Sequence, residues 1–204
     1  DAEYLLEQNV KALVVACNTA TSAAIRILRK KYQDQMPVIG IEPALKPAVS
    51  VKKNPRVIVM ATPMTIREEK FQKLLKQFTS RAQVISLPCP GLVEFVERGE
   101  LESEALDDFL SALFAPYRDE PIDAVVLGCT HYPLIRESIQ KSLGSGVAVF
   151  DGGAGTARET LRKLKEYQIL SDSTERGTVV FENSTGDERM IELSRYLLER
   201  NLKH

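Results

Sequence analysis

Short apolar runs rich in β-branched residues recur along the chain, and each is followed by a longer stretch whose apolar positions repeat at helical spacing. A run with no polar face suits a parallel strand buried on both sides, and the amphipathic stretch after it supplies the crossover. The pattern predicts an α/β fold built from mostly parallel sheets flanked by helices. Strands are expected at residues 12–17, 38–41, 56–61, 83–87, 124–129, 147–150 and 178–182. Helices are expected at 3–10, 19–31, 65–78, 91–97, 103–115, 134–142, 155–166 and 187–199, several opened by Ser, Thr, Asp or Pro.

Two passages, Glu42-Pro43-Ala44-Leu45-Lys46-Pro47 and Asp151-Gly152-Gly153-Ala154-Gly155, carry the turn residues of a chain changing domain. Read as crossovers, they divide the chain into a discontinuous first domain, 1–42 plus 152–204, and a continuous second domain, 43–151. The glycine passage lacks the full spacing of a dinucleotide loop and the Lys-Ser/Thr of a P-loop, so it reads as a turn. The flanks of the first domain supply about three strands, thin for an independent parallel sheet. The first domain is therefore expected to be incomplete, with residues missing upstream and apolar sheet and helix surface exposed.

With 44% hydrophobic and 27% charged residues in 204, the chain has the composition of a globular protein. A net charge of −1 and a pI near 6.2 provide no basic field, which disfavours nucleic acid as a general partner and points to a small ligand. No apolar stretch is long enough to span a bilayer, and the first residues do not resemble a signal peptide. Three cysteines without a C-x-x-C pair fit neither a disulfide framework nor a zinc finger, so a reducing cytoplasm and no metal are expected.

Two apolar runs end alike: Val14-Val15-Ala16-Cys17-Asn18-Thr19 and Val125-Val126-Leu127-Gly128-Cys129-Thr130-His131. A cysteine between a strand and a helix meets exposed backbone N–H groups, which favour thiolate, although a free cysteine is most often a buried structural residue. Asn18 and Thr19 add short polar groups near those N–H groups. Cys129 has His131 two residues later, and the only other histidine is His204; an imidazole there can take the thiol proton or hold a substrate carboxylate. Cys89, between Pro88 and Pro90, reads as structural. Glu94 and Glu97 fall on one side of a short helix, where acids are usually solvated; over a cleft, Glu97 would orient a histidine or hold an ammonium group. Two thiols on opposite sides of one small molecule would form a two-base proton-transfer device.

Ala16-Cys17-Asn18-Thr19-Ala20-Thr21 and Leu127-Gly128-Cys129-Thr130-His131-Tyr132-Pro133 resemble the two signature motifs of the glutamate racemases, within the aspartate/glutamate racemase superfamily. Pro37-Val38-Ile39-Gly40-Ile41-Glu42-Pro43, Leu92-Val93-Glu94-Phe95-Val96-Glu97 and the return segment from Phe150-Asp151 support the likeness, which covers essentially the whole chain. The resemblance implies two pseudo-symmetric domains with the active site in the cleft between them. It also implies racemisation of glutamate without a cofactor, in which Cys17 acts on the D-isomer and Cys129 on the L-isomer. By the same resemblance, Asn18, Thr19, Thr130 and His131 bind substrate or assist the thiols, and Glu97 is an acid near His131. Aspartate racemases typically carry Glu where His131 stands, so the motif favours glutamate. Supply of D-glutamate for peptidoglycan is the implied role, and because family members are often dimers the resemblance admits a homodimer. The family's amino-terminal Asp-Ser-Gly and Pro-Tyr-Gly segments are not in this sequence, which puts the acid beside Cys17 in question.

Three other readings remain open at this level. One is an aspartate or related amino-acid racemase. A second is a cysteine hydrolase with Cys129 as nucleophile and His131 as base, against which stands the expectation that residues two apart on a turn do not readily pair. The third is a non-catalytic binder closing on a small acid.

Overall fold

A computed structural model describes residues 1–202; residues 203 and 204, and with them His204, lie outside the described part. The elements run α1 (Ala2–Glu7), β1 (Leu13–Val15), α2 (Asn18–Tyr32), β2 (Val38–Gly40), α3 (Leu45–Ala48), β3 (Arg56–Ala61), α4 (Pro63–Arg67), α5 (Glu69–Lys76), β4 (Gln83–Pro88) and α6 (Leu92–Glu97). They continue with α7 (Glu104–Phe114), β5 (Ala124–Leu127), a 3-10 turn (Tyr132–Ile135), α8 (Arg136–Leu143), β6 (Ala148–Asp151), α9 (Gly153–Glu166) and α10 (Glu188–Asn201). All pairings are parallel, in a two-stranded sheet β1-β2 and a four-stranded sheet ordered β4-β3-β5-β6.

The larger sheet follows from alternation within apolar runs. Ile58 and Met60 of β3, with Val125 and Leu127 of β5, face a core made with Leu92, Leu106, Leu110, Phe114, Tyr132 and Ile139. Val57, Val59 and Ala61, with Ala124 and Val126, face the opposite core with Leu45, Val49, Phe71 and Leu75. Each large apolar side chain removed from water contributes about 1.5–3 kcal/mol, so the two central strands, buried on both faces, anchor this half. The smaller sheet has a correspondingly small cluster, Leu13, Ile25, Tyr32, Met36 and Val38. Val14 on β1, Ile27 on α2 and Leu161 on α9 remain exposed.

Three expectations are corrected. The stretch 178–182 is not a strand: it has no ladder partner among the described residues, and Val179 and Val180 are 66% and 77% exposed. β-propensity alone does not make a strand without an edge to pair with. The single helix expected over 65–78 breaks at Glu68, whose extended backbone separates α4 from α5. The two cysteine-tipped strands end earlier than expected, at Val15 and Leu127, which leaves both cysteines beyond the ladder on the turns after them.

Candidate active site

Parallel strands deliver their carboxyl ends to one side, and the chemistry collects there. Cys17 is the N-cap of α2: its Sγ accepts the Ala20 N–H at 3.5 Å, and its side chain is exposed. Thr21, one turn on, donates to the Val15 carbonyl and fixes the helix against β1. Asn18 is buried, at 5% exposure, and its Oδ1 has no hydrogen-bond partner among the described residues. A buried amide oxygen left unpaired is costly, and it is an acceptor waiting for a donor.

Thr19 is held rather than free. Its Oγ1 lies 2.6 Å from the Thr65 hydroxyl and 3.2 Å from that of Thr62, so the start of α2 is tied to the turn that leaves β3. Thr62 caps α4 through the Thr65 N–H, with Pro63 at the first helical position. Sequence reasoning missed both threonines, although Thr-Pro after an apolar run is a helix-start signal at a strand end, as at Cys17.

Cys129 sits on the turn after β5 and is 9% exposed. Burial pushes its thiol up, while the His131 N–H pulls it back; charge on Cys17 also raises it, and the Thr130 hydroxyl lowers it. The helix-start setting that favours thiolate is therefore outweighed here by loss of solvent. His131 curls back from its αR backbone to bring Nδ1 within 3.7 Å of Sγ, and its Nε2 lies 3.3 Å from Glu97 Oε1. The expectation that residues two apart do not readily pair is thus overturned: the tight 3-10 turn allows it. Cys89, beyond β4, is buried, donates to the Leu87 carbonyl, and is pushed up to about 12 by burial, so it stays a thiol.

A cleft of about 590 Å³ opens between the two sheets. Its lining includes Val14, Ala16 and Asn18 from β1 and the start of α2, Cys129 and Thr130 after β5, Asp151 and Gly152 at the end of β6, and Thr156, Thr160 and Leu161 of α9. Cys17, Thr19, His131 and Glu97 do not line it; Cys17 lies in sequence between the lining residues Ala16 and Asn18. The stretch 151–153 was legible only as a turn. There Asp151 accepts the Gly153 N–H and pairs with Arg136, which also donates to the Val149 carbonyl. Among the described residues, no group of three or more His, Cys, Asp or Glu side chains is arranged to hold a metal ion, and no helix is long and apolar enough to cross a membrane.

Residues 1–160 match the family model for Asp/Glu/Hydantoin racemase. A glutamate racemase of Clostridium botulinum is 48% identical over 197 residues, covering 97% of this chain and 76% of that protein. The Clostridium kluyveri glutamate racemase is 49% identical over the same length and shares. Among solved structures, Escherichia coli glutamate racemase in complex with L-glutamate and the activator UDP-MurNAc-ala superposes with a TM-score of 0.81 at 29% identity, over 96% of this chain and 74% of that one. The Francisella tularensis glutamate racemase with D-glutamate gives 0.79 at 27% identity, over 97% and 73%. A cysteine at the end of one strand in each sheet, a cleft between the sheets, and relatives matched across nearly the whole sequence agree: the chain belongs to the Asp/Glu/Hydantoin racemase family and groups within it with the glutamate racemases, which are isomerases.

Proposed function

We propose that this chain interconverts L- and D-glutamate without a cofactor, by two-base proton transfer between Cys17 and Cys129. One thiolate removes the α-proton and becomes a thiol. The opposite thiol then protonates the other face of the carbanion and becomes the thiolate, so each turnover leaves the enzyme with the pair reversed. Cys17 serves D-glutamate and Cys129 serves L-glutamate. The chain works as two lobes, 1–42 with 152–204 and 43–151, and its product feeds peptidoglycan synthesis in the cytoplasm.

The observation that carries this reading is the cleft, whose lining holds Cys129 together with Ala16 and Asn18, the two neighbours of Cys17. Two further features support it. Charge on Cys17 is among the causes that raise the Cys129 thiol, which suits a pair sharing one proton. The unpaired Asn18 Oδ1 is a ready acceptor for a substrate ammonium, while the N–H groups opening α2 suit a carboxylate. Glu97 and His131 assist Cys129: the imidazole takes up or returns the thiol proton, and the carboxylate orients the ring.

The test is solvent deuterium at the α-carbon. In D2O, label should enter the enantiomer being formed, and Cys17→Ser or Cys129→Ser should each lower turnover in both directions by about 10²-fold or more. The Cys129–His131–Glu97 line also favours a second reading, a cysteine hydrolase. An acyl-enzyme on Cys129 with no α-label would establish that reading and end the first.

A further inference from the structure

Gly152 is placed where the two halves of the chain cross. A Cβ at this position would lie 2.5 Å from the Glu42 carbonyl oxygen and 2.9 Å from Ile41 Cγ1. Its φ of −83° is open to any residue, so glycine is needed for close approach, not for backbone conformation. The contact partners are the other crossover: Ile41 and Glu42 lead out of β2 just as Asp151 and Gly152 lead out of β6. The seam therefore joins the two passages where Ile41 and Gly152 both line the cleft.

Both sides of this seam are coupled to a cysteine by the same short route. On one side, the Ile41 N–H donates to the Val15 carbonyl at 3.0 Å, two residues before Cys17. On the other, Asp151 stands in register with Leu127, two residues before Cys129. The Gly152 carbonyl is itself fixed by the Thr156 N–H at 2.9 Å and hydroxyl at 2.8 Å. We propose that Gly152 is a positioning residue that sets the gap between the two thiols, by letting the crossovers touch. The proposal rests on the two-base reading. A Cβ at 152 meets the Glu42 backbone carbonyl as well as the Ile41 side chain, and because the backbone contact cannot swing away, the seam opens and the thiols move apart.

Separated thiols have a chemical signature. A carbanion formed by one thiolate, with the opposite thiol out of reach, is reprotonated by the thiol that took its proton. After that S–H exchanges with D2O, deuterium returns to the same face, giving labelled starting enantiomer without inversion.

The experiment compares the wild-type chain with Gly152→Ala in D2O, following label in both enantiomers by NMR and inversion by chiral chromatography. Inversion should fall by about a hundredfold, the scale of an ångström-sized misplacement. Exchange with retention should fall much less, so its ratio to inversion rises. Thr156→Val, which loosens the same carbonyl without adding volume, should move the ratio the same way by less. If exchange and inversion fall in parallel, Gly152 is merely structural and the proposal is overturned. A second measurement does not need activity. In a Cys89→Ala background, the shortest bifunctional thiol reagent linking Cys17 to Cys129 should be longer in Gly152→Ala than without it, and an unchanged span overturns the proposal. A wild-type chain that neither exchanges nor inverts overturns the two-base reading instead, and cross-linking still decides the role of the seam.

Discussion

Solvent loss and backbone donors pull Cys129 in opposite directions, and burial wins. Its alkylation by iodoacetamide should therefore set in at higher pH than that of an ordinary thiol, and peptide mapping across pH 6–11 checks this. Cys89 gives a stability effect with a definite sign. Its folded pKa, about 12, lies above the ordinary 9.0, so the folded state holds a proton that the unfolded chain releases. Stability is intact below about pH 9, and is lost as pH rises from there toward 12, with a slope approaching 1.4 kcal/mol per pH unit. Urea titrations at pH 8 and pH 10.5 should show this loss in the wild type and a smaller one in Cys89→Ala. At Glu97, half exposed beside His131, the pair itself contributes little to stability. Glu97→Gln should therefore leave the melting temperature near the wild-type value while slowing racemisation about tenfold, if orienting the ring is its task. Polarimetry with a thermal melt separates the two effects.

At the scale of elements, the site depends on the turn at the carboxyl end of each strand. β1, β3 and β5 lead into turns carrying Cys17, Thr62 and Cys129, and the Thr19–Thr62–Thr65 hydroxyls lock two of those turns together. Thr62→Ala removes both the α4 cap and one member of that lock. It should cost about 0.5–2 kcal/mol, measured by denaturant midpoint, with a further loss of activity from the loosened start of α2. The central strands were legible because a doubly buried strand writes an unbroken apolar run, as in Ala124–Leu127. The two cysteines were legible because strand ends mark themselves. The threonine lock was not, since it joins residues more than forty apart through tertiary packing. The stretch 178–182 misled for the converse reason: Val179 and Val180 have the propensity of a strand, and pairing is decided elsewhere. The split of α4 from α5 at Glu68 carries no proline or glycine to announce it.

For the whole molecule, a racemase faces a constraint that binds every variant. The two enantiomers of a free amino acid are equal in energy, so any change in kcat/KM must be the same in both directions, and no mutation can make the enzyme a one-way converter. What a mutation can change is the partition between exchange and inversion, which on the proposed two-base reading depends on the gap between the two thiols. The unequal cores matter here. The four-stranded sheet has a large cluster on each face, whereas β1 and β2 share one cluster of five buried residues. Amide hydrogen exchange should therefore fall into two classes, with β3 and β5 opening only in global unfolding and β1 and β2 opening sooner by a local route. Because Val15 ends β1 and Ile41 follows β2, the turn carrying Cys17 should open sooner than the turn carrying Cys129. A ligand that bridges those two turns would then act as a clamp, slowing exchange in β1 and β2 selectively and making that protection a direct gauge of occupancy.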